Sequence, residues 1–199
     1  MRLRATAAAL AAALAPALAA PPATGPDGDD PDLHITETRE DYVVDATSRR
    51  ALQQQMREAL ARHVDEGGGV GRSLQTLTSR YELEPFEGGC RLKDLEVRLD
   101  VTIYLPRWEP AGDYPRGLDE SWQAMRNALE KHELGHRDIA VETARGLLDD
   151  LRALPPQPDC SSLETRARKL FFRAQLRHSI RDGAYERRTR NGVAQGVKL

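Results

Sequence analysis

The chain has 199 residues, 40% of them hydrophobic and 30% charged, which suits a single globular domain with a workable core rather than two. Its formal net charge of -2 excludes a protein that is basic overall, and no run beyond the N-terminus is apolar enough to span a bilayer, for which about 20 residues are needed. The charge is uneven: residues 27–45 carry eight Asp or Glu against one Arg, and residues 166–198 carry ten Lys or Arg against two acids.

In chain order, Arg2 and Arg4 precede an Ala/Leu-rich run, and Ala17-Leu18-Ala19 fits a small-x-small cleavage pattern, so residues 1–19 read as a secretory signal peptide. Its removal would leave a net charge of -4 and place the protein in the periplasm or outside the cell. Residues 20–32, rich in Pro, Gly and Asp, read as a flexible linker, and residues 33–199 as one domain. In an oxidising compartment the cysteine pair, Cys90 and Cys160, predicts an intramolecular disulfide.

Residues 35–46 hold β-branched and aromatic runs expected to form one or two strands, with Asp45 or Thr47 capping a helix over residues 48–63. That helix directs Leu52, Met56, Ala59, Leu60 and Val64 inward. "DEGGGVGRS" is a plain loop, since the Lys-Ser/Thr of a phosphate-cradling loop is missing. Two segments, residues 74–86 and 90–106, predict an antiparallel strand pair. In the second, Leu95, Val97, Leu99, Val101 and Ile103 alternate with polar residues until Pro106 ends the strand.

A long helix follows over residues 119–154, with Trp122, Met125, Leu129, His132, His136, Ala140, Thr143, Leu147, Leu151 and Leu154 on one stripe. "PPQP" stops it, and Ser161-x-x-Glu164 reads as a capping box for a last helix with Leu163, Ala167, Leu170, Phe171 and Ala174 inward. Trp108 and Trp122 are expected in the core or at a cleft rim, and His34 and His63 at the surface. The basic C-terminal third reads as a solvated helix face. Without interleaved aromatic residues no nucleic acid is expected, and the domain is expected to be a monomer.

The chemistry lies in "HELGH", residues 132–136. Four residues of helix advance about 6 Å and turn about 400°, so His132 and His136 leave one face and can share an ion. Glu133 points about 100° away from His132, where it can take a proton from water polarised by Zn²⁺ while that water attacks a peptide carbonyl. A third ligand is needed. The metzincin extension fails, because Ile139 stands where its glycine should be and the continuing helix carries Glu142 past the site. The last helix offers Glu164, His178, Asp182 and Glu186, among which spacing does not choose.

The signal segment, "LPRW", Trp122 ahead of "HELGH", the cysteine pair and the ending "AYERRTRNGVAQG" together resemble a bacterial family of uncharacterised function described as predicted secreted zinc-dependent proteases, over residues 35–197. The resemblance implies metal ligands at His132 and His136, a general base at Glu133, and a motif spanning Tyr185, Glu186, Thr189, Gly192, Gln195 and Gly196. Two positions depart from the family pattern: Glu186 stands where Asp is usual, and Asn191 where His is frequent. The favoured third ligand is Glu186, with Tyr185 as donor to a developing oxyanion.

The expected protein is an α+β, zincin-like domain: a small antiparallel sheet packed on a long active-site helix and a C-terminal helix. Its expected function is that of an exported zinc metallopeptidase acting on a peptide or protein, with a strand of the 90–104 region beside the cleft to pair with substrate. The alternatives are a non-catalytic metal-bound or interaction module that retains the HExxH helix, and a protein docking on nucleic acid or the envelope through its basic end.

Overall fold

The computed structural model describes residues 30–63 and 69–199, which form strand β1 (Leu33–Val44), helix α1 (Arg49–Leu60), strands β2 (Arg72–Phe86) and β3 (Gly89–Trp108), and helices α2 (Leu118–Arg152) and α3 (Cys160–Thr189). A short 3-10 turn, Val193–Gln195, follows α3. The expected signal peptide, most of the linker and Val64 lie outside the described residues.

β3 is the middle strand, in the order β1-β3-β2. The antiparallel pair read from the alternation is β2 with β3, and β1 joins β3 in parallel, which makes the sheet mixed. Val97, Leu99, Val101, Ile103 and Leu105 are all buried on one face of β3, each stabilising the fold by about 2 kcal/mol. That face packs on α2, which buries Met125, Leu129, Ala140, Ala144, Leu147, Leu148 and Leu151.

Pro106 does not end β3, which continues to Trp108. The amides of Val97 and Glu109 donate toward β1, to Asp32 O and Val44 O, so alternation turns the nitrogen of Pro106 to the opposite side. There β2 has already stopped, its last partner on β3 being Tyr104, and no ladder bond is lost.

Two helix starts also differ from expectation. Ser48, not Asp45 or Thr47, caps α1 by accepting from Ala51 N, because Asp45 is held by Gln55 through its side chain and its amide. Asp159, not Ser161, caps α3. Its carboxylate accepts from Ser162 N at 2.8 Å and from the Ser161 and Ser162 hydroxyls, which holds its pKa down at about 2.

Cys90 and Cys160 form the expected disulfide, and Cys90 also exchanges backbone hydrogen bonds with Gln157, so the α2–α3 loop is tied to the start of β3. Trp122 is buried with its ring centroid 5.6 Å from that of Trp108, whose Nε1 donates to Ala46 O. Both belong to the core region rather than a ligand box. His34 and His63 are exposed, as expected.

Candidate metal centre

His132 and His136 lie on the buried stripe of α2 and turn toward the C-terminal part of α3, which supplies Glu186. The two Nε2 atoms are 3.3 Å apart, and Glu186 completes a triangle with Oε2 3.5 Å from His132 Nε2 and Oε1 3.2 Å from His136 Nε2. The ligand atoms of this trio all lie within 4.8 Å of one another, close enough to share one metal ion.

The remaining ring nitrogens have fixed partners. His132 Nδ1 donates to Gln195 Oε1 at 2.9 Å, and His136 Nδ1 donates to Asp182 Oδ1 at 2.5 Å. A neutral imidazole that donates through Nδ1 presents a lone pair at Nε2, so two lone pairs and a carboxylate converge in a largely buried space. Glu186 Oε2 is itself buried with no hydrogen-bond partner among the described residues. A proton can bridge only one pair of these atoms, whereas a cation satisfies all three. The residues therefore fit a metal ion.

Tyr185 braces the centre from α3. Its ring stacks on His132 at 5.2 Å between centroids and meets His136 edge-on at 4.9 Å. The hydroxyl donates to His132 O and accepts from Gln195 Nε2, each at 3.1 Å, so its proton is directed to the helix backbone rather than the cleft. Gln195 returns to the site because the chain reverses after α3: Arg190 and Asn191 take left-handed conformations and Gly192 has φ 78°. A Cβ at Gly192 would meet Val197 Cγ2 at 2.6 Å, so the turn requires glycine. Thr189 fastens the same turn, donating to Tyr185 O and accepting from Gly192 N.

Glu133 is 4% exposed. Burial pushes its carboxyl up to about 7, against the pull of His136 and Arg72. Burial lowers the pKa of His132, opposed by its bond to Gln195. For His136 burial also disfavours the charge, but the bonded Asp182 carboxylate, with Glu133 and Glu186 nearby, outweighs it and the pKa rises. Asp182 answers in kind: burial opposes its ionisation, and the bond to His136 overcomes this and lowers its pKa.

Of the four third-ligand candidates, only Glu186 joins the two histidines. Asp182 orients His136 from behind, Glu164 is exposed in the first turns of α3, and His178 is half-buried beside Gln75 and Thr143 with Nε2 unpartnered. Glu142 pairs with Arg181, away from the trio. The positioning roles of Asp182 and Gln195 were not read from the sequence. Asp182 lies four residues before Glu186, a spacing that places both on one helix face, but Gln195 follows a chain reversal that breaks any periodicity.

A cavity of about 680 Å³ opens before the trio, lined on one side by Gly71, Arg72, Ser73 and Gln75. The expectation of a cleft strand from residues 90–104 is corrected: β3 is paired on both edges, and the strand at the cleft is β2. Its other edge carries no strand among the described residues, and Gln75 Nε2 donates to Ser73 O along it.

No curated protein and no solved structure matches the chain. Residues 39–192, which take in both histidines, Glu133, Asp182, Tyr185 and Glu186, match a family described as bacterial protein of unknown function (DUF922), and the chain belongs to that family.

Proposed function

We propose that the protein is an exported zinc-dependent peptidase. The observation that carries this reading is the convergence of His132 Nε2 and His136 Nε2, 3.3 Å apart, with the Glu186 carboxylate, whose Oε2 lies 3.5 Å from the first and Oε1 3.2 Å from the second. Ligands at 2.0–2.1 Å in a tetrahedron lie about 3.3 Å apart, the spacing of a two-histidine, one-carboxylate zinc site. A zinc ion held there would polarise a carbonyl and lower the pKa of water to about 7.

The protein's own groups supply the rest. Glu133, buried beside the trio and lining the same cavity, takes the proton of the attacking water and returns it to the leaving amine. Asp182 and Gln195 hold the imidazoles, and Tyr185 packs behind them. Arg72, lining the cavity, places positive charge where a carbonyl oxygen becomes anionic. The open edge of β2 offers backbone groups to an extended peptide. The disulfide accords with an oxidising compartment, and no described helix is long and apolar enough to cross a membrane.

Elemental analysis of the purified protein beside its His132→Ala and Glu133→Gln variants tests the reading. Wild type and Glu133→Gln should each hold one zinc per chain and His132→Ala almost none. Glu133→Gln should cleave an unfolded protein substrate about 10²–10⁴ times more slowly than wild type. Metal-free wild type, or equal cleavage by Glu133→Gln, would overturn it. Arg72→Ala should lower kcat at unchanged zinc content, and an unchanged kcat would remove Arg72 from the mechanism.

A further inference from the structure

α3 buries Leu163, Ala167, Ala174 and Tyr185 against the rest of the fold. On its opposite side Phe172, Leu176 and Ile180 are 60, 62 and 60% exposed. Steps of four residues advance about 40° around a helix, so these three side chains form one continuous apolar ridge within an arc of about 80°. Charged residues crowd the same segment: residues 166–181 contain six Lys or Arg and no Asp or Glu, in a chain whose net charge is -2. Arg177 and Arg181 are tied to Asp150 and Glu142, but Arg166, Arg168, Lys169 and Arg173 form no ion pair among the described residues. At the N-terminal end of the ridge a cavity of about 510 Å³ is lined by Phe172 together with Arg80, Arg168, Thr78 and Ser79.

We propose that this outward face of α3 docks on an anionic lipid surface, with Phe172, Leu176 and Ile180 entering the headgroup boundary and the surrounding cations meeting lipid phosphates. An apolar ridge bordered by Arg and Lys is the pattern of a helix lying in a membrane interface, where burial and electrostatic attraction act together. The long cationic side chains reach outward to phosphate while their stems cover the acyl boundary. The cavity beside Phe172 sets Arg168 next to the N-terminal end of the ridge. The cations also argue against the other occupants. A second copy packed ridge to ridge about a two-fold axis sets Arg against Arg, and a nucleic acid backbone gains nothing from Leu176 and Ile180 at the centre of the contact. Docking by this face requires nothing of the metal centre.

Flotation of the purified protein with vesicles tests it. Equimolar phosphatidylglycerol and phosphatidylcholine vesicles should bind wild type at least about tenfold more strongly than pure phosphatidylcholine, and less strongly as salt rises. The F172S/L176S/I180S and K169E/R173E variants, checked for native circular dichroism and zinc content, should each lose most of that binding. In a Leu176→Trp variant, brominated acyl chains should quench the added fluorescence, a readout that a merely electrostatic contact through distant residues would not produce. Equal binding to both vesicle types, or undiminished binding by F172S/L176S/I180S, overturns the proposal. So does a wild-type dimer in sedimentation that this triple variant turns into monomer without vesicle binding, or salt-sensitive binding to duplex DNA alone.

Discussion

The phenol of Tyr185 occupies the space in which a side chain at Gly135 would stand: a Cβ there would meet Oη at 2.1 Å. The glycine of "HELGH" is thus a packing requirement of α3 against α2. Alanine normally favours a helix interior over glycine by about 1 kcal/mol. In Gly135→Ala the displaced ring instead costs about 1–3 kcal/mol, so urea denaturation should show a net loss. In a Tyr185→Ala background the same change should stabilise. Additive effects in the double variant would mean that the two positions do not collide in solution.

The Asp182–His136 bond should set how metal affinity depends on pH. Because Asp182 raises the pKa of His136, protons compete with metal for Nε2 as pH falls into the range where His136 is protonated. Asp182→Asn should lower affinity by about 10–100-fold at neutral pH, since the imidazole loses its anchor. It should also move the acid-side decline in affinity to lower pH, because His136 then protonates less readily. Chelator competition across pH reads both effects, and a decline left at the same pH would separate His136 from the competition.

Glu133 should destabilise the metal-free fold above neutral pH. Its folded pKa of about 7 exceeds the ordinary 4.5, so the native state holds its proton more tightly than the unfolded chain. The stability this confers is whole below about 4.5 and is lost as pH rises toward 7. The full difference corresponds to roughly 3 kcal/mol. Metal-free Glu133→Gln, which cannot ionise, should therefore gain up to that amount over wild type at pH above 7 relative to acid conditions. Chemical denaturation at two pH values measures the difference, and parallel stability profiles would contradict the buried, ionising carboxyl.

The Cys90–Cys160 bond closes a sequence separation of 70 residues. Loop-closure entropy gives such a crosslink about 4 kcal/mol. The double Cys→Ser variant should lose stability on that scale, and wild type unfolded without reductant should show no free thiol. Two thiols per chain in that assay would contradict the bond.

Where one periodicity governed a long stretch, the sequence was legible. The α2 stripe from Trp122 to Leu151 and the β3 face from Val97 to Ile103 are buried as their spacing predicted, because one-sided burial forces a single phase on a helix or strand. Helix starts were less legible. Asp45, Thr47 and Ser48 are all chemically able to cap α1, and Gln55, in the second turn of the helix, removed Asp45 from the choice. At α3 the capping-box pattern pointed to Ser161, but the helix starts at Cys160, so the residue in the capping position is Asp159. Pro106 misled because its cost depends on a neighbour, and the end of β2 lies in a distant part of the chain.

By itself the sequence determined that His132 and His136 share a face of one helix, with Glu133 one residue round, because four-residue spacing on a helix leaves no other outcome. It also determined that one crosslink was available. Only the tertiary structure selected Glu186 over Glu164, His178 and Asp182, assigned Asp182 and Gln195 to the backs of the imidazoles, and put β2 instead of β3 at the cleft. Those choices depend on how α3 lies along α2 and on which strand takes the middle of the sheet. They are relations between segments far apart in sequence, and no local spacing encodes them.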